Sequence, residues 1–305
     1  MRTALSVLTD ELRRLKAHGV KHLRVSPDSI AALRAAVHSG GASVPAIAPD
    51  TVAVPATENV GKPVVPAWTP RASTTEAVVS SLPLPLPTPF VLPDGDKRAR
   101  MDALCARVQS DPVCAAHVRP GKKIVVGVGS LDAKVMFVGE APGAEEEVQG
   151  EPFVGPAGQL LTRMIGAMGL SRAEVYIGNI MNWRPEIPVD ASGIQYGNRP
   201  PTEAELRYCL PYLRAQIEIV NPGLLVALGT TAAQGLLGFG AFKALGEVRG
   251  HWHEFAGKPL MVTYHPSYIL RNQSNRSKRM IWEDLLQVMA RAGLSVSDRQ
   301  RGYFL

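Results

Sequence analysis

The chain has 305 residues, 46% apolar and 20% charged, with a formal net charge of +6, the profile of an ordinary globular protein with a basic surface. No window of about 18 apolar residues exists, which excludes a membrane-spanning helix. The opening MRTALSVLTDELRRLKAHG lacks an apolar core of signal-peptide length before Asp10 and Glu11, so the chain is expected in the cytoplasm. Cys105, Cys114 and Cys209 are an odd number spread far apart, which argues against a disulfide framework.

In chain order, Leu5, Leu8, Leu12 and Leu15 recur at helical spacing, and Ser26-Pro27-Asp28 caps a second short helix reaching about Val37. Residues 1–38 therefore read as a small basic helical segment. Residues 39–95 are rich in Pro, Ala, Ser and Thr and end in SSLPLPLPTPFVLP; they read as a disordered or partly polyproline-like linker. From 96 to 305 the texture changes. Apolar runs of strand length lie at Lys134–Val138, Val175–Ile180, Leu224–Leu228 and Leu260–Thr263. Helix-period segments at Gly158–Met168, Thr202–Val220, Thr230–Leu237 and about Lys278–Ala292 lie between and after them. Apolar strands alternating with helices predict a parallel sheet with helices on both faces. Such sheets bind ligands beyond the carboxyl ends of their strands.

Every unusual loop follows a predicted strand end: GEAPG, NIMNWRP, GTTA and YHPSYILRN. Gly139 and Gly143 let backbone approach a ligand closely. Glu140, Glu145, Glu146 and Glu147 offer acids that could hold or activate a water. Phe153, in a glycine-proline loop, is placed to stack on a flat ring. Asn179 carries one acceptor and two donors, a pattern that reads the edge of a base. His265 can donate to a developing anion, and Arg271, Lys278 and Arg279 can hold phosphates. Together they predict a pocket for a polar ring beside a basic surface, which fits a nucleobase taken out of its stack.

The segments GEAPGAEEE, GEPFVGPAGQLL, VYIGNIMNWRP, RPPTEAEL, LVALGTTAAQ and TYHPSYILR resemble the uracil-DNA glycosylase superfamily. Within it they resemble family 4, bacterial and archaeal enzymes that normally carry an iron–sulfur cluster. The resemblance covers about residues 100–291 and not 1–95. It implies a three-layer α/β/α domain around a four-stranded parallel sheet, and a monomer that excises uracil from DNA. It implies that Gly139, Ala141, Phe153 and Asn179 bind the base, and that His265 stabilises the leaving uracil. It further implies that Pro266, Ser267, Ile269, Leu270 and Arg271 contact DNA, with Ile269 or Leu270 filling the gap left by the base. The role of handling water is shared between Glu140 and Glu147, with Glu140 favoured because it touches the pocket loop. Two other readings stay open: a DNA-binding scaffold on a glycosylase fold, and a glycosylase for another deaminated base such as hypoxanthine.

The chain departs from the resembled pattern at the cluster. Cys114 and Cys209 match two of the four ligand positions, but Asp111 and Trp183 occupy the other two. Three cysteines cannot supply a four-thiolate site, so no cofactor or metal is expected. Residues 187–199 also form a longer loop than usual. A related branch that crosslinks to uracil-DNA uses a histidine there, and this chain has no histidine between His117 and His251.

Overall fold

A computed structural model describes residues 84–85, 87–187, 195 and 197–305. The expected helical segment over 1–38, most of the linker and the middle of the 187–199 loop lie outside the described residues. Contacts divide the chain into Met1–Ser73 and Thr74–Leu305, and every described residue belongs to the second unit.

The four apolar runs become β2 (Val135–Gly139), β3 (Tyr176–Asn179), β4 (Leu224–Leu228) and β6 (Lys258–Thr263). Their pairings, β3 with β2, β2 with β4 and β4 with β6, are all parallel. The sheet is nevertheless six-stranded and mixed, in the order β1-β3-β2-β4-β6-β5. The short antiparallel edges β1 (Val128–Gly129) and β5 (Trp252–Phe255) escape a search for apolar runs. The first has two residues, and the second is only half-buried. Ala256 and Gly257, both at positive φ, make the two-residue turn from β5 into β6, as a primed hairpin turn requires.

β2 and β4 are buried at every position, as expected where helices cover both faces. Alternate side chains still divide between two cores. Met136 and Val138 join the cluster under α1 (Lys97–Gln109), α5 (Glu203–Val220) and α6 (Thr230–Leu237). Val135 and Phe137 join the one under α4 (Pro156–Ala167) and α8 (Asn275–Arg291). Local signals set the helix ends. Thr202 and Glu205 form a reciprocal capping box at the start of α5. Pro156 opens α4 and Ser274 caps α8, which starts these helices slightly earlier than their apolar periods do. The last part of the stretch read as linker is seated on the domain: Leu84, Phe90 and Leu92 pack against the first core, and the Phe90 ring stacks on Tyr212 at 5.4 Å.

Candidate active site

The order of the parallel strands reverses at β2, because β3 lies on one side of it and β4 on the other. A crevice is expected at such a switch point. A cavity of about 770 Å³ opens there, with walls drawn from the loops after β2, β3, β4 and β6. Glu140, Ala141, Phe153, Asn179, His265, Ser267 and Arg271 all line it.

Gly139 and Asn179 are register partners at the ends of β2 and β3. A Cβ on Gly139 would lie 2.4 Å from Asn179 Oδ1 and 2.5 Å from the Phe153 ring. The missing side chain is what lets the amide and the ring approach each other. Phe153 is buried and adopts φ 55°, a left-handed conformation uncommon for a bulky residue. Gly158 makes room for it, since a Cβ there would stand 1.8 Å from the Phe153 carbonyl oxygen. Glu146 fastens the two loops together. Its carboxylate accepts from the amides of Gly143 (3.2 Å), Val154 (3.1 Å) and Gly155 (3.0 Å). Within an acidic run, nothing in the sequence singles out Glu146 for this task.

His265 is the N-cap of α7 (Pro266–Arg271). Its Nδ1 accepts from the Ser267 amide at 3.2 Å and faces the Ser267 hydroxyl at 2.9 Å. The remaining hydrogen of a neutral ring therefore sits on Nε2. Burial, aided by the Arg271 charge, pushes the imidazole pKa down to about 4. The ring is thus a neutral donor at physiological pH. Phe153 and His265 are 5.6 Å apart between centroids, tilted by 31°. Burial also raises the pKa of Glu140, a shift that a hydrogen bond from Thr231 partly offsets.

Several expected site residues stand elsewhere. Glu147 is turned away from the cavity. It forms a buried ion pair with Arg184 at 2.9 Å, with Lys122 Nζ at 3.5 Å. Glu146 and Glu147 are successive residues of the short helix α3 (Glu146–Gln149) and so point in different directions. Of the two wedge candidates, Ile269 is buried in the second core, whereas Leu270 is 38% exposed. Lys278 and Arg279 engage the C-terminal segment instead of the cavity mouth. Lys278 lies over the Phe304 ring, and Arg279 donates to the carbonyls of Arg301 and Tyr303. Arg199 reaches the cavity wall, but its guanidinium is committed to Glu205 at 2.6 and 2.8 Å.

The profile of the uracil DNA glycosylase superfamily matches residues 126–286. The chain is 41% identical over 186 residues to the Type-4 uracil-DNA glycosylase of Thermotoga maritima, covering 61% of this chain and 91% of that protein. It is 38% identical over 176 residues to the Type-4 enzyme of Archaeoglobus fulgidus, covering 56% and 83%. A Type-5 uracil-DNA glycosylase of Pyrobaculum aerophilum is 30% identical over 169 residues, covering 54% and 73%. With the same strand-end loops gathered on one cavity, the chain belongs to the uracil-DNA glycosylase superfamily, in its type-4 branch.

Proposed function

We propose that the protein is a uracil-DNA glycosylase that hydrolyses the N-glycosidic bond of uracil in DNA and leaves an abasic site. The observation that carries this reading is the convergence of Phe153, Asn179 and His265 on one cavity at the sheet's switch point. A uracil extruded from the helix stacks on Phe153. The gap between Phe153 and His265 is too narrow for a ring, so the base meets the imidazole at its edge. Asn179 pairs with the carbonyl and imide of that edge. Cytosine presents a different donor and acceptor pattern and leaves a buried amide group unpaired, which is heavily penalised.

Cleavage sends the bonding electron pair to the base, leaving positive character on the sugar. Nε2–H of His265 donates to the developing oxyanion of uracil. Water adds to the sugar carbon and gives up a proton to Glu140, whose burial makes it a stronger base than an exposed carboxylate. No strong nucleophile is required. Arg271 lines the cavity at the end of α7 and its neighbour Leu270 is exposed; we assign Arg271 to a phosphate and Leu270 to the vacated base position. The basic net charge of +6 suits a polyanionic substrate. Among the described residues no helix is long and apolar enough to cross a membrane. We place the enzyme in the cytoplasm, working as a monomer.

Two variants test the assignment in single-turnover excision. Glu140→Gln is expected to slow the chemical step about tenfold or more with little change in DNA affinity; an unchanged rate removes Glu140 from the mechanism. Gly139→Ala is expected to slow excision at least as much without unfolding the chain, because the new methyl displaces the Asn179 amide and the Phe153 ring together. A wild-type rate for this variant would show that the two side chains need not be held where they stand.

A further inference from the structure

The resemblance implies a four-thiolate cluster at a place where this chain has Asp111, Cys114, Trp183 and Cys209. These residues do not fit such a cluster, which takes four cysteine thiolates. The two matching cysteines are fully buried, and neither is in a disulfide. Among the described residues, no three His, Cys, Asp or Glu side chains are grouped to hold a metal ion.

What occupies the region is a hydrogen-bonded hub. Asp111 is 3% exposed. Its carboxylate accepts from the Tyr208 hydroxyl at 2.9 Å to each oxygen, and from the Tyr212 hydroxyl at 2.7 Å. It also accepts from the Cys114 amide at 2.8 Å, capping α2 (Pro112–Ala116). Tyr208 and Tyr212 are one helical turn apart on α5 and so share a face. Trp183, from the loop after β3, has no exposed surface. It stacks on His117 at 5.0 Å and 8° and meets Tyr208 edge-on at 6.2 Å. Among the described residues its indole N–H finds no partner, so the ring contributes by filling volume.

We infer that this chain folds without a cluster, and that the Asp111 carboxylate with its two tyrosines, together with the Trp183 ring, fastens α2 and the β3 exit loop to α5 in its place. A buried carboxylate with three charge-assisted hydrogen bonds is well satisfied. Removing it orphans two buried hydroxyls at once. Phe90, stacked on Tyr212, brings the end of the proline-rich stretch onto the same hub.

The test is metal analysis of the anaerobically purified full chain, beside thermal melts of Asp111→Ala, Asp111→Asn and Tyr212→Phe. None of these readouts uses uracil excision, so the outcome stands apart from the enzymatic reading. The expected result is iron far below one equivalent and a Tm unmoved by an iron chelator. Asp111→Ala should lower the Tm by on the order of 10 °C, with Asp111→Asn in between. Tyr212→Phe should cost a few degrees, which keeps the test readable if Asp111→Ala does not fold. Stoichiometric iron whose removal lowers the Tm would overturn the inference, and so would wild-type melting of both Asp111→Ala and Tyr212→Phe.

Discussion

Replacing His265 by alanine is expected to slow uracil excision by about 10²–10³, the loss typical when one preorganised donor to a developing oxyanion is removed. The loss should appear in the single-turnover rate and not in DNA affinity, because the donor matters as charge builds on the base. The same geometry makes a statement about pH. With Nδ1 occupied by the Ser267 amide and the pKa pushed down to about 4, the imidazole does not titrate between pH 5 and 8. An acid-side fall in rate is then assigned to Glu140, whose burial raises its pKa. The inflection should therefore vanish in Glu140→Gln and persist in His265→Ala; the opposite pattern would mean that the histidine works as a titrating acid. Stability carries the matching sign. From about pH 6.5 down to about 4 the unfolded chain protonates this histidine and the folded chain does not, so His265 makes the fold less stable as pH falls through that window. His265→Ala should lose less stability than the wild type on acidification.

The second large effect is on stability. Glu147→Ala leaves the Arg184 guanidinium buried without its carboxylate. Breaking one partner of such a pair costs about 3–5 kcal/mol, a fall in Tm of roughly 6–20 °C for a domain of this size. Arg184 also donates to Asn198 Oδ1 at 2.8 Å and to the Gly197 carbonyl at 2.8 Å, so the loop that brings Asn198 to the cavity loosens with it. Glu147→Gln, assayed well below its Tm, should excise within a few-fold of wild type. A tenfold slower rate at unchanged Tm would return Glu147 to the chemistry.

The four central strands were legible because each is an apolar run with unusual residues at its carboxyl end, and parallel order follows from the helices between them. The edge strands were not, since two residues of β1 and the half-exposed β5 carry no apolar signal. Phe153, Asn179 and His265 stood out because a single aromatic, amide or imidazole in a rigid loop has few neighbours to be confused with. The acids were different. Glu145, Glu146 and Glu147 are alike in sequence, and one step along a short helix separates a tie between two loops from a buried ion pair. Ile269 and Leu270 divide the same way, one toward the core and one toward solvent. Direction around a short helix is set by what packs against it, and adjacent apolar or acidic letters do not record that.

Uracil excision is tested most directly by incubating the wild-type chain with a labelled oligonucleotide holding one uracil, single-stranded and opposite guanine or adenine. Free base and alkali-labile sites are then measured together. Free uracil and a break at the uracil position are expected in equal amounts, with neither from the matching thymine or cytosine strand. No uracil released at stoichiometric enzyme, with DNA still bound, would contradict the glycosylase reading.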